Sequence, residues 1–308
     1  MNRAETAVTF RGSTKSAFLR FFEHREVLGT LFVLPAILLL GIFLAYPFFF
    51  GVWLSFTDTI IGGRGRYIGW TNYRSLLQDS LFWLTTRNTF LYTIVAVWLK
   101  LAMGLALALI LNRLVRFKGL LRAIVLLPWI VPTAFSAIAF WWMYDSTFSP
   151  ISWVLLKAGW ISQRIDFLGD PNLARASVIV ANVWRGVPFF AIGLLAGLQT
   201  IEPSLIEAAA IDGAGLWQRF WHVTLPLVMP LLVIVTTFST IWTFSDFQLV
   251  YIITRGGPAN ATHLYGTLAY QRAIQGGQFG EGAAISNFIF PILFMGAVIS
   301  LLYVKREE

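Results

Sequence analysis

The stretch EAAAIDGAGLWQRFWHVTLP, residues 207–226, is a short polar segment between two long apolar runs. Its first half consists of good helix formers and ends at Asp212 and Gly213, where glycine supplies the backbone freedom that a sharp turn requires. A second short helix, apolar on one side and polar on the other, follows the turn. We therefore predict a helical hairpin over 201–226 that lies at the membrane interface and can be bound by a soluble partner.

The composition excludes a soluble domain of this length. Of 308 residues, 57% are hydrophobic and only 12% are charged, which is typical of an integral membrane protein. The formal net charge is +8, but the basic residues lie mainly at the ends of apolar runs and form no stripe that could follow a phosphate backbone. We expect a lipid environment and no nucleic acid.

The chemistry-bearing residues do not indicate an enzyme. Cysteine is absent, and the three histidines, His24, His222 and His263, have no metal-ligand spacing. The segment 12–16, GSTKS, lacks the glycine that a phosphate-binding loop places before its lysine. No nucleophile-base or paired-carboxylate constellation is visible. We expect no catalytic residue, no metal and no cofactor, and no ATP hydrolysis by this chain.

Six apolar runs are long enough to cross a bilayer as helices. We predict an all-α integral membrane protein with six transmembrane helices, at about 27–54, 88–111, 120–143, 174–198, 225–247 and 284–304. The corresponding domains are a basic N-terminal arm (1–26), a six-span transmembrane domain (27–304) and a short tail (305–308). The first run is too long for a signal peptide and lacks a small-residue cleavage site.

The distribution of lysine and arginine predicts the orientation. Twelve lie in the arm, the loop after the second run, the hairpin and the tail, whereas nine lie in the longer loops on the other side. Because cytoplasmic loops are enriched in these residues, both termini and the hairpin should be cytoplasmic.

Several motifs resemble one transporter family. The pattern Glu207-Ala208-Ala209, then Gly213, then Leu225-Pro226 is similar to the EAA loop of permease subunits of binding-protein-dependent ABC importers. Motifs at 67–73, 79–83, 127–132 and 254–258 are similar to those of its carbohydrate-type members, which carry maltose, glycerol phosphate and related compounds. The resemblance implies the type I ABC importer permease fold, with coupling to the ATPase by Glu207, Ala208, Ala209, Asp212 and Gly213.

The resemblance also implies a set of partners in the bacterial inner membrane. They are a second permease, two ATP-binding subunits and an external or periplasmic solute-binding protein that delivers a sugar-type substrate. The alternative is an ion-coupled secondary transporter of a small polar solute. Two observations argue against this alternative. One is the hairpin, and the other is that few acidic residues lie inside the apolar runs, whereas proton relays require acidic residues there.

Two basic residues, Lys100 and Arg185, lie near the middle of apolar runs, where each costs roughly 2.5–3.5 kcal/mol on insertion scales unless it faces a cavity or a partner. Lys100 can extend to the interface or form a structural pair. Arg185 can pair with Asp246 or bind an anionic group on the substrate. By resemblance to the maltose importer's larger permease, the substrate-binding residues are Trp129, Thr133, Asn182, Arg185, Gly186, Ser239, Thr243 and Asp246.

Overall fold

A computed structural model of the chain describes residues 25–113 and 116–305, except for the side chains of residues 25–27 and 304. The predicted basic arm lies outside the described residues apart from its last two, and the predicted tail does so apart from Lys305. The described residues divide into two compact units, one that ends at residue 53 and one that begins at residue 54.

The described part of the first unit is a long apolar helix. It consists of α1 (Arg25–Leu40), a π-helical turn at Gly41–Ala45 and α2 (Tyr46–Leu54). From residue 28 to residue 53, every side chain is exposed or half-buried within the chain itself. Such an apolar surface requires lipid or another membrane helix around it.

The second unit is also helical, with only two isolated β-bridges in its described part. Its helices are α3 (Thr71–Gln78), α4 (Ser80–Arg113), α5 (Lys118–Ile130), α6 (Thr133–Met143), α7 (Pro150–Lys157), α8 (Pro171–Leu198), α9 (Pro203–Ile211), α10 (Leu216–Arg219), α11 (Leu225–Phe244), α12 (Gln248–Thr254), α13 (Tyr265–Tyr270), α14 (Phe279–Asn287) and α15 (Ile289–Lys305). Short π-helical turns at Phe220–Thr224 and Gln271–Gln275 continue α10 and α13.

Helices α4, α8 and α11 form the centre of this unit. Gly104 on α4 lies so close to α8 that an added Cβ atom would lie 2.3 Å from the Cβ of Phe190. Phe190 and Leu194 are fully buried in this contact. Close approach through a small residue is how membrane helices gain packing energy, because lipid is as apolar as the helix surface.

The predicted third span is not one straight helix. Its two halves, α5 and α6, meet at Val131 and Pro132 at an angle of 83°. Proline has no N–H to continue the helix and restricts the residue before it, so the break at this point has a local cause. In the described chain, five helices are long and apolar enough to span a membrane, or six when the bent pair is counted as one span.

The side chains of the loop motifs before α4 connect backbone segments that are apart in the sequence. Asn72 donates hydrogen bonds to the carbonyls of Ser55 and Thr57, both at 2.8 Å. Asp79 accepts from the backbone N–H of Leu81 at the start of α4 and forms an ion pair with Arg272 at 2.6 Å. These contacts give the sequence motifs in 67–83 a structural role.

The Gly256-Gly257-Pro258 segment forms a closed loop over the same end of α4 and α8. Gly256 has a φ of +92°, and an added Cβ would lie 2.2 Å from the ring of His263. Arg175 on α8 donates to the carbonyl of Ala261 at 2.9 Å, and Asn88 on α4 donates to that of Asn260 at 3.3 Å. Glycine is required at 256 because both the backbone conformation and the ring exclude a side chain.

Candidate functional site

A cavity of about 550 Å³ opens where the α5–α6 break faces α4, α8 and the end of α11. Polar, charged and aromatic side chains line it: Lys100, Trp129, Thr133, Asn182, Arg185, Gly186, Phe189, Ser239, Trp242, Thr243, Ser245, Asp246, Phe247 and Gln248. A cavity with a few convergent polar groups among apolar ones is typical of a small-molecule site.

All eight residues predicted for substrate binding line this one cavity. Trp129 and Thr133 lie on either side of the α5–α6 break. On α8, Asn182, Arg185 and Gly186 occupy one face, because positions three and four apart lie on the same side of a helix. The motif spacing therefore predicted which residues come together, and their role in binding substrate remains a prediction.

The same spacing occurs on α11. Ser239 and Thr243 are one turn apart and buried, and Asp246 follows in the short break between α11 and α12. Because Asp246 lies beyond the last helical residue, its carboxylate can reach both neighbouring helices and accept from the backbone N–H of Leu249 at 3.3 Å.

A chain of hydrogen bonds connects three of the helices around the cavity. The hydroxyl of Tyr92 donates to Oδ2 of Asp246 at 2.7 Å, and Nδ2 of Asn182 donates to the same oxygen at 3.1 Å. Nζ of Lys100 donates to Oδ1 of Asn182 at 2.9 Å and to Oγ1 of Thr243 at 2.6 Å. The amide of Asn182 thus joins the ammonium group to the carboxylate.

Lys100 does not extend to the membrane interface. It is 3% exposed and lies against Gly186, where an added Cβ would come within 2.3 Å of the Cδ of Lys100. Glycine at 186 makes room for the lysine stem to cross α8. The interfacial alternative for Lys100 is therefore wrong, since the ammonium group has two hydrogen-bond acceptors inside the protein.

The ion pair between Arg185 and Asp246, one of the two alternatives for Arg185, is also not formed. Among the described residues, the ion pairs are those of Arg272 with Asp79 and Glu281. The carboxylate of Asp246 is already bonded to Tyr92, Asn182 and the Leu249 backbone. Nε of Arg185 is buried without a hydrogen-bond partner in the described part of the chain.

Three aromatic residues that line the cavity were not predicted: Phe189, Trp242 and Phe247. Phe189 stacks on Trp129 with ring centroids 6.2 Å apart and meets Trp242 edge to face at 5.0 Å. Helical spacing could have predicted the first two, because Phe189 lies one turn after Arg185 and Trp242 lies three residues after Ser239. The partly exposed faces of Trp129 and Trp242 can stack on an apolar face of a sugar ring.

Tyr92 also belongs to the site although it was not predicted. It precedes Lys100 by eight residues, or about two helical turns, and therefore lies on the same face of α4. Tyr92 lies in an apolar run, and nothing in the sequence distinguishes it from the aromatic residues that lie at a membrane interface.

The predicted hairpin is present as α9, a turn and α10. The turn is a Schellman motif, in which the N–H of Ala214 donates to the carbonyl of Ala209 at 2.9 Å and that of Gly213 donates to Ala210 at 3.1 Å. Gly213 has a φ of +82°, as the residue after such a helix end requires. Gly215 precedes the first residue of α10, and its N–H donates to Oε1 of Gln218 at 2.8 Å.

The hairpin presents both polar and apolar side chains to its surroundings. Glu207, Ala208, Asp212 and Gly213 are exposed, and Ala209 is half-buried. Several large apolar residues nearby are also exposed, namely Leu205, Ile211, Leu216, Trp217 and Trp221. An exposed apolar patch of this kind with a carboxylate beside it is typical of a protein interface.

Comparison with known proteins agrees with this architecture. The family described as binding-protein-dependent transport system inner membrane component matches residues 100–304. The permease protein MalF of the trehalose/maltose transport system of Thermococcus litoralis is 36% identical over 281 residues, which cover 91% of this chain and 94% of that protein. The permease SmoG of the sulfoquinovosyl glycerol system of Agrobacterium fabrum is 33% identical over 92% of both chains.

One solved structure has the same fold. A chain of a bacterial ABC transporter involved in the import of the acidic polysaccharide alginate matches with a TM-score of 0.80 and 22% identity, over 94% of this chain and 98% of that one. The predicted importer-permease fold is thereby confirmed. The chain belongs to the family of binding-protein-dependent transport system inner membrane components, and it is a multi-pass permease of the inner membrane.

Proposed function

We propose that this chain is one of two permease subunits of an ATP-driven importer that takes a sugar or sugar derivative from an external binding protein. The observation that carries the proposal is the combination, in one chain, of the exposed hairpin with the polar and aromatic cavity. The hairpin gives an ATPase a place to act, and the cavity gives a small polyol its hydroxyl, amide and aromatic partners.

The relatives support a carbohydrate without identifying it. The names of the permeases that match refer to trehalose/maltose, to sulfoquinovosyl glycerol and to lactose. The matching solved importer carries an acidic polysaccharide, and one of its structures contains a periplasmic protein bound to an alginate pentasaccharide. By analogy, this chain works with a second permease, two ATP-binding subunits and a binding protein. ATP would be bound by the ATP-binding subunits, and no cofactor is proposed for the permease.

Six spans are proposed, with the α5–α6 pair counted as one and both termini in the cytoplasm. Alternating access would then expose the cavity first to the binding protein and afterwards to the cytoplasm. A self-sufficient ion-coupled transporter would have no use for the hairpin.

The importer is tested by reconstitution. Proteoliposomes containing the full complex should accumulate sugar only with ATP inside and the binding protein outside. Omitting either one should reduce accumulation to that of empty liposomes. Uptake driven by a proton or sodium gradient without ATP would overturn the proposal in favour of a secondary transporter.

The orientation is tested by reporter fusions. A reporter that works only in the cytoplasm should be active when it is joined after Lys118 or after Arg219. A reporter that works only outside should be active when it is joined after Asn260. The physical reason is that cytoplasmic loops retain lysine and arginine, which are costly to translocate. An external signal at Arg219 would remove the hairpin from reach of the ATPase.

A further inference from the structure

Three charged side chains line the cavity: Lys100, Arg185 and Asp246. Two are cationic and one is anionic, so the cavity has an excess positive charge. We infer that the substrate of this site carries a carboxylate, phosphate or sulfonate, and that the guanidinium of Arg185 binds it. The inference rests on the proposed function and adds the substrate's charge to it.

The carboxylate and the ammonium group of the cavity already have their partners. Both oxygens of Asp246 accept hydrogen bonds, one from Leu249 and the other from Tyr92 and Asn182. Lys100 donates to two oxygens, and Asn182 connects it to the carboxylate. These two opposite charges are therefore balanced within one hydrogen-bonded network, and neither requires a ligand.

Arg185 is left outside that network. It lies near the midpoint of α8, a helix long enough to span the bilayer, and it is half-buried at the cavity wall. Its Nε is buried without a partner in the described residues. A guanidinium presents its N–H groups in a planar fork that matches two oxygens of a carboxylate, phosphate or sulfonate. An anionic ligand would therefore accept hydrogen bonds from the N–H groups of Arg185 that lack a partner.

A neutral sugar would not need this residue. Hydroxyl and amide groups for a polyol are already present at Thr133, Ser239 and Asn182, and stacking surfaces are present at Trp129 and Trp242. A cation held among them adds cost to a neutral-sugar site and adds binding free energy to an anionic one.

The test compares matched neutral and anionic probes in the reconstituted importer with its binding protein. The probe pairs are glucose with glucuronate, glucose with 6-deoxy-6-sulfoglucose, and trehalose with trehalose 6-phosphate. The wild-type complex should import at least one anionic probe in preference to its neutral counterpart. Arg185→Gln should lower the kcat/KM for that anion by roughly 10- to 100-fold and lower it less for the neutral counterpart.

Two further variants separate binding from folding. Arg185→Lys keeps the charge but loses the fork, so it should give an intermediate rate for the anion. Arg87→Gln removes an equal charge from an exposed position on α4 and should not change uptake. The thermal unfolding midpoint of Arg185→Gln should match the wild type, since no internal hydrogen bond is lost.

Four outcomes would contradict the inference. Import of neutral probes alone, or wild-type anion uptake by Arg185→Gln, would refute the anionic substrate and leave the importer intact. A lower unfolding midpoint with an equal loss of neutral uptake would show that Arg185 pairs with a group of the second permease. Failure of the wild type to import any probe would reject the proposed sugar importer itself.

Discussion

Replacing Gly213 with proline should reduce ATP-driven uptake to the background of empty liposomes. Gly213 has a φ of +82°, whereas proline is fixed near −65°. Proline also lacks the N–H that closes the turn onto the carbonyl of Ala210. The turn between α9 and α10 cannot form in this variant, and the surface offered to the ATPase is lost. Uptake and substrate-stimulated ATP hydrolysis in the purified complex are the measurements.

The hairpin provides its own control for this prediction. Gly215 has a φ of −69°, and an added Cβ would lie 3.7 Å from Oε1 of Gln218, an ordinary contact. Gly215→Ala should therefore transport normally. Because no atom lies within 4 Å of an added Cβ at Gly213, the effect there comes from the backbone conformation and not from a steric clash. Normal coupling in Gly213→Pro would show that this hairpin does not transmit the ATPase motion.

The carboxylate of the hairpin is tested in the same assay. Glu207 is exposed, and the resemblance to EAA loops predicts that it pairs with a basic residue of the ATPase cleft. Glu207→Ala should insert and fold but lose transport. Glu202 is also exposed, and its side chain does not cap α9, so Glu202→Ala is the matched control and should retain transport.

Replacing Asp246 with alanine should have the largest effect on stability. The change removes the acceptor of Tyr92 and Asn182 and leaves Lys100 and Arg185 without an opposite charge in the cavity. Unsatisfied buried donors and an uncompensated charge together lower the free energy of unfolding by roughly 2–5 kcal/mol. Thermal unfolding of the purified complex should show a clear drop in the midpoint.

Three variants identify the cause of that drop. Asp246→Asn keeps an acceptor oxygen but not the charge, so it should lose less stability. Adding Lys100→Met to Asp246→Ala removes the uncompensated ammonium group and should recover part of the loss, which a double-mutant cycle measures. Asp166→Ala removes an exposed carboxylate that accepts from Gly169 alone and should change little. Strict additivity of the Lys100 and Asp246 changes would contradict the network.

Much of the fold was determined by the sequence alone. Apolar runs of spanning length require helices, because lipid offers no partner for backbone groups. Proline at 132 and glycine at 213 act locally, so the break between α5 and α6 and the turn of the hairpin were predictable in position. The angle of the break was not, since it depends on how α6 packs against α8 and α12.

The candidate site shows the same division. Helical spacing placed Asn182, Arg185 and Gly186 on one face and Ser239 and Thr243 on another, and the family motifs identified those faces as parts of one site. The charge partners depended on distances between helices that are far apart in sequence. Only the tertiary structure decided that Lys100 and Asp246 share Asn182 and that Nε of Arg185 has no hydrogen-bond partner among the described residues. A side chain bonds to the nearest suitable group in space, and spacing along a single helix does not specify that group.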